Sequence, residues 1–177
     1  SGKADSTWRL VKIQEDGILP DDSKLIHPEL SLAVCNGKIY VFCRNDQRSV
    51  PLLYVSEDNG ESWSKPYSHD IPFSNSKIYS GTLSDGRNYV VGNIYYSHDN
   101  DTSVRNKLAV FFSEKNSFRF TKAILLQKGK IDEKEYSGAW HYPCCHEHNN
   151  KLYVIYTANT VSGGRGASVS VIDLNRY

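Results

Sequence analysis

Four side chains stand where the spacing of this 177-residue chain brings reactive groups toward one place. Glu29 and Tyr142 each lie seven residues before a two-residue turn signal, Asn36-Gly37 and Asn149-Asn150. Equal spacing from equivalent turns points both toward the same end of their strands. A carboxylate beside a phenol lowers the cost of removing the phenol's proton and so activates its oxygen. Arg44 ends one predicted strand and Arg105 opens another, at adjacent ends of one rim. Two guanidinium groups facing a common cleft bind a carboxylate through charge-assisted, bidentate hydrogen bonds. Each residue also has a plainer use. Tyr142 reads equally as an interior aromatic with a satisfied hydroxyl. Glu29 reads as a solvated carboxylate ahead of a strand, with Glu135 an alternative base. Each Arg reads as a surface partner of an Asp-rich loop. Arg48 and Arg165 are weaker candidates, the latter in the Gly-rich stretch Ser162–Gly166.

The elements that must position these groups repeat along the chain. Asn36–Phe42, Asp85–Val91 and Asn149–Ile155 align without gaps, each a turn signal, a base, then a β-branched and aromatic run. Asn-Gly and Asp-Gly suit type I′ hairpin turns, whose central residues take φ > 0. An apolar run precedes each (Leu30–Cys35, Ile78–Leu83, Tyr142–Cys145) and another follows (Pro51–Ser56, Lys107–Ser113, Ala167–Leu174). Fourth strands are expected around Ser64–Tyr67 and Arg119–Leu125. Four antiparallel strands per repeated unit is the pattern of a propeller blade. The third run of the first unit leads into Ser56-Glu57-Asp58-Asn59-Gly60-Glu61-Ser62-Trp63. There the Asp can accept backbone N–H bonds of its own turn, the Gly permits positive φ, and the Trp covers the turn. Ser113–Phe120 keeps the Ser and the closing aromatic of this motif, and Ser170–Tyr177 keeps them more weakly. The reading is one all-β domain over 1–177, with blades near 28–68, 76–126 and 140–177. Strand 8–13 is expected to complete a blade.

Composition narrows the function classes. The formal net charge is +1, with Lys and Arg spread along the chain, which argues against a nucleic-acid surface. No apolar run is long enough to span a membrane. The stretch 127–136 reads as a solvated loop. Cys35 and Cys43 share a hairpin without being direct partners. Cys144 and Cys145 are adjacent in a strand and should face opposite ways. Buried free thiols are the simplest reading, a Cys43 bridge to the third unit the alternative. His141, His146 and His148 do not have zinc-site spacing. No metal and no cofactor is expected.

The motif Ser56–Trp63 resembles the Asp-box of sialidases and related propellers. From about His27 onward the chain resembles the C-terminal half of the sialidase superfamily, the six-bladed Asp-box or BNR-repeat glycosidases. Arg44-Asn45 before the Asp-box, Gly81–Asn93, Arg105-Asn106-Lys107-Leu108, and Tyr142-Pro143 followed by Lys151–Tyr156 carry the resemblance. It implies a sialidase-like hydrolase, exo-acting on an acidic sugar such as sialic acid. Enzymes of this kind use a Tyr nucleophile, since a neutral phenol is not repelled by an anionic substrate. Tyr142 is then the candidate nucleophile, Glu29 its candidate base, and Arg44 with Arg105 the candidate carboxylate clamp. Asp58 and Trp63 fall on the opposite rim and are structural. The family's first Arg and its acid/base Asp belong to N-terminal blades. Asp21 and Asp22, on a Pro-containing loop, are no convincing substitute. The chain contains no Met, and Ser1-Gly2 reads as a processing remnant. Three units therefore predict half of a longer propeller, or a ring closed by a second copy. The partner class is an acidic glycan. The resemblance suggests a secreted, periplasmic or lysosomal setting, in which Asn100-Asp101-Thr102 would be a glycosylation sequon. The alternative function is a non-catalytic carbohydrate- or protein-binding propeller.

Overall fold

The structure is a computed structural model that describes residues 8–14, 17–19, 23–95, 105–129, 131–132, 135–136, 139–159 and 164–177. Asp21, Asp22 and the sequon lie outside the described residues, as do the side chain of Glu135 and residues 162–163 of the Gly-rich stretch. Two four-stranded antiparallel sheets and one three-stranded sheet follow one another along the chain. The first comprises β1 (Leu30–Cys35), β2 (Lys38–Cys43), β3 (Leu52–Ser56) and β4 (Tyr67–Ser68) in that order. The second comprises β5 (Tyr79–Thr82), β6 (Asn88–Asn93), β7 (Lys107–Ser113) and β8 (Phe120–Lys128). A small hairpin, β9 (Ile131–Asp132) and β10 (Glu135–Tyr136), occupies the segment expected as a loop. The third sheet comprises β11 (Ala139–His148), β12 (Lys151–Asn159) and β13 (Arg165–Asp173), closed by a 3₁₀ turn at Leu174–Arg176.

Local chemistry explains the hairpins. Asn36 and Gly37 both take positive φ (51° and 75°), as do Asn149 and Asn150 (48° and 56°), the geometry a type I′ turn requires. The second unit differs from this expectation. Thr82 pairs with Asn88, so residues 83–87 form a longer connection in which only Gly86 takes positive φ, 88°. Asp85 is the reason. Its carboxylate accepts from Arg87 N (3.0 Å) and from Arg87 Nε (2.7 Å), tightening the loop around its own side chain.

The sheets pack face to face, and alternation along β2, β6 and β12 decides which side chain faces which neighbour. Phe42 and Leu53 of the first sheet bury against Val90 of the second and against Ile78 and Phe73 of the segment that leads into it. Val91, Val110 and Phe112 of the second bury against Leu152, Val154 and Tyr156 of the third. Each such fully buried side chain contributes about 1.5–3 kcal/mol of transfer free energy. Innermost strands also touch. Ser31 Oγ accepts from Ser80 N (2.8 Å), and Thr82 Oγ1 donates to Val34 O (2.8 Å). This is a partial β-propeller.

One expected strand sits elsewhere. Residues 8–13 form no strand in the third sheet. Ile13 packs instead on the other face of the first, with Leu19, Val41, Leu52 and Tyr54, and Tyr54 OH donates to Gln14. The third sheet keeps three strands among the described residues. By the repeat, Phe42 and Val91 correspond to Ile155. The first two are fully buried, whereas Ile155 is 50% exposed, with Val169 and Val171 beside it at 55% and 53%. The third sheet therefore presents, uncovered, the face that the other two bury.

Candidate functional site at one rim of the sheets

The register separates the two rims. Ile39 pairs with Ser56, and Leu30 pairs with Cys43, which pairs with Leu52. The hairpin turns and the Asp-box thus share one end, while Glu29 and Arg44 share the other.

At the turn rim, the Asp-box works as a scaffold. Asp58 accepts from Ser62 Oγ (2.5 Å), Ser62 N (2.9 Å) and Ser56 Oγ (2.8 Å). These bonds hold its carboxyl well down, to about 2, with Ser62 the largest cause. Gly60 takes φ 86° beneath Trp63, whose ring a Cβ there would touch at 3.8 Å. In the decayed copy the closing aromatic, Phe120, packs edge-on against Phe42 of the preceding sheet at 6.2 Å, and Phe118, two residues earlier, stacks on Tyr40 at 3.7 Å.

At the opposite rim, the described contacts sort the four candidate residues into two pairs. In the first pair, Arg44 is nearly buried at 9% exposure, and its Nη1 donates to Glu29 Oε2 at 3.2 Å. Arg44 N also bonds Glu29 O (3.1 Å). Asp46, which the sequence did not single out, completes the cluster. Its Oδ1 lies 2.9 Å from Arg44 Nε, an ion pair whose N–H direction does not make a hydrogen bond. The same oxygen is 3.0 Å from His27 Nδ1, and Oδ2 accepts from His27 N at 2.9 Å. Adjacency to Arg44-Asn45 was the available signal for Asp46. Glu29, read as a base for Tyr142, is engaged here by Arg44.

The second pair is Tyr142 and Arg105. His141 pairs with Thr157 and Cys144 with Ile155, so Tyr142 and Pro143 together oppose Tyr156, a β-bulge. Pro143 cannot donate to a ladder, and bulges are where sheets admit proline. Tyr142 takes φ 55°, a left-handed conformation rare for an aromatic residue and disfavoured further ahead of proline. Its ring is left 45% exposed. The Arg105 guanidinium lies over that ring, 5.8 Å from its centroid, within cation–π range. His141 packs edge-on against the same ring at 5.0 Å. Burial, then Arg105, hold the His141 imidazole below its ordinary pKa; Arg165 adds to this and the Asn159 side chain opposes it.

Asn93 ties this pair to the scaffold. It is buried, and its Nδ2 donates to Trp140 O (2.6 Å), Arg105 O (3.2 Å) and Lys107 O (3.2 Å), joining the second sheet to the third. Trp140 N returns a bond to Arg105 O at 3.0 Å. The repeat alignment places Asn93 where the first unit has Arg44, a signal that was legible but unused.

Of the cysteines, all four are free; Cys35, Cys43 and Cys145 are buried and Cys144 is exposed. Burial pushes the Cys43 thiol up to about 12. Among the described residues, no three His, Cys, Asp or Glu side chains gather as metal ligands, and no helix is long and apolar enough to cross a membrane.

Sheets stacked by their faces around adjacent innermost strands, with an Asp-box at one rim, define a propeller of the sialidase type. Residues 1–157 match the family model of the BNR repeat-like domain, and the chain belongs to that family. No curated protein matches it. Among solved structures it is similar to the Hadza microbial sialidase Hz136, with TM-score 0.62, 11% identity, and 83% of this chain against 27% of that one. It is similar to the leech intramolecular trans-sialidase complexed with 2,7-anhydro-Neu5Ac, with TM-score 0.62, 9% identity, and 83% against 23%. It is also similar to the Penicillium chrysogenum α-L-arabinanase complexed with arabinobiose, with TM-score 0.56, 14% identity, and 88% against 48%. The chain thus spans between 23% and 48% of these structures. At such identities the likeness is one of fold.

Proposed function

We propose that this chain is the nucleophile-bearing part of a glycan-active propeller, a sialidase-like exo-glycosidase acting on an acidic sugar such as sialic acid. The observation that carries the reading is the backbone of Tyr142. A left-handed aromatic at a bulge costs on the order of 1–3 kcal/mol, and such strain persists mainly at functional sites. Here it holds an exposed phenol beside a guanidinium. In the reaction, the Tyr142 oxygen attacks the anomeric carbon as the bond to the leaving oxygen breaks. The phenol proton passes to a base and the leaving oxygen takes a proton from an acid. Water then hydrolyses the tyrosyl glycoside. Arg105 is placed to take the substrate carboxylate. Arg44 lies along the same rim, held by Glu29 at its Nη1 and by Asp46 at its Nε.

The uncovered apolar face of the third sheet supports a working unit completed by further sheets, from a longer polypeptide or a second copy. Placement outside the cytoplasm follows from the same reading. One observation favours a second function. Glu29 bonds Arg44, as a residue of a binding propeller without turnover would. Hydrolysis of an aryl sialoside by the protein in its native length separates the two. Tyr142→Phe should lower turnover by orders of magnitude while leaving the unfolding midpoint nearly unchanged. A fully active Tyr142→Phe overturns the nucleophile assignment. Binding of the sialoside without turnover by the wild type establishes the binding propeller.

A further inference from the structure

At the turn rim, a cleft of about 570 Å³ opens between the second and third sheets. Both of its walls are in place in this chain, so no further sheet is needed to form it. Glu147 of β11 ties one side together. Its two carboxylate oxygens accept from Ser84, from the backbone N–H at 2.7 Å and from Oγ at 2.6 Å. Arg87 stands in the wall. The residue is more than nine-tenths buried, and its guanidinium is fixed from three directions. Nε donates to Asp85 at 2.7 Å, and Nη2 donates to Leu174 O, in the turn that closes the third sheet, at 3.3 Å. The group lies over the Phe112 ring, 5.6 Å from its centroid. A tie between two sheets accounts for Nε and Nη2. It leaves Nη1, which has no hydrogen bond among the described residues and yet is not shut away from solvent. A buried arginine that turns one unused nitrogen to a cleft is a donor already in position, so a ligand does not bear the cost of ordering it.

Lys122 is the second cation of the cleft. Its Nζ lies 5.2 Å from the centroid of the half-exposed Tyr177 ring, within cation–π range, and meets no carboxylate among the described residues. Charge then selects the ligand. Arg87, Lys115 and Lys122 are matched in number by Asp85, Glu114 and Glu147 around the cleft. Such a lining has no net field to draw in a polyanion. It offers donors for one anionic group and carboxylate acceptors for hydroxyls, with Tyr177 as an apolar surface for a sugar ring.

We propose that this cleft binds a sugar acid, a pyranose with one carboxylate and free hydroxyls, whose carboxylate sits at Arg87 Nη1 and Lys122 Nζ. The site lies on the rim opposite Tyr142 and Arg105 and does not depend on the role assigned to them. Calorimetric titration of the native-length protein with D-glucuronate tests it. Arg105→Gln removes the guanidinium beside Tyr142, so binding in that background reports the cleft. D-Glucuronate should bind there about tenfold more tightly than D-glucose, which lacks the charge, or acetate, which lacks the hydroxyls. Adding Lys122→Gln, at an exposed side chain, should lower glucuronate affinity about tenfold. Arg87→Lys should weaken it as well, by losing the fork that aims Nη1. Thermal unfolding checks each variant; if Arg87→Lys does not fold, Lys122→Gln decides. The proposal is overturned if Arg105→Gln does not bind glucuronate, if glucose or acetate binds equally well, or if Lys122→Gln leaves the affinity unchanged.

Discussion

Asn93→Ala should reveal how the second and third sheets are locked together. The side chain is buried, and its two N–H groups serve three carbonyls. Arg105 O keeps a bond from Trp140 N, and Lys107 O keeps one from Ile94 N. Trp140 O, at 2.6 Å, depends most on Asn93. Truncation therefore strands chiefly one buried carbonyl, worth about 1–3 kcal/mol. Asn93→Asp should cost more at neutral pH, because a carboxylate would face three carbonyl oxygens. That setting raises the acid's folded pKa above its unfolded value near 4. Its penalty should therefore shrink as pH falls and grow as pH rises. Urea unfolding followed by fluorescence, at about pH 7 and about pH 4, measures both variants. The amide orientation is not in doubt on chemical grounds, since the reverse would aim Oδ1 at the same three oxygens. If Asn93→Ala costs less than about 0.5 kcal/mol, or if Asp and Ala are equal at neutral pH, the inter-sheet tie does not hold as described.

Two further outcomes follow from the two rims. Asp58 has its folded pKa depressed to about 2. Its contribution should be fully present above the ordinary carboxylate value near 4 and lost as pH falls toward about 2. The difference in melting temperature between wild type and Asp58→Asn should shrink over that window while acidic-sugar affinity stays intact; a difference constant with pH would show that the charge is not what the turn uses. At Tyr142, Gly should be more stable than Ala by about 1 kcal/mol, the reverse of the usual strand order, because only Gly takes a left-handed backbone without strain. Urea midpoints that rank Ala at or above Gly would remove the strain argument on which the functional reading stands.

Much of the fold was legible because it is local and repeated. Asn-Gly and Asn-Asn turns, period-2 runs and the Ser-x-Asp-x-Gly-x-x-Trp box each specify backbone geometry within a few residues, and three aligned copies place the same strands three times. The type I′ turn at Asn36, the place of the two-residue turn at Asn149 and the scaffolding Asp-box came from that information. Asp85-Gly86 shows its limit, since a side chain that bonds its own loop outweighs a dipeptide signal. Residues 8–13 show another. An apolar pattern announces a strand-like segment but not the surface it covers, and the exposed side of the first sheet took it. The candidate site was legible only as a set of residue types on one rim. Tertiary structure decided the pairing. Glu29 went to Arg44, because Arg44 N and Glu29 O bond across the ends of β1 and β2. Tyr142 went to Arg105, because Asn93 and Trp140 bind the Arg105 carbonyl against the third sheet. Asn93 gained meaning only from a contact with Trp140, far away in sequence, and Asp46 from His27 as well as from Arg44 two residues before it. Spacing along a strand determines which end a side chain occupies; which neighbour it meets there depends on how whole sheets stack, and that is a property of their buried faces.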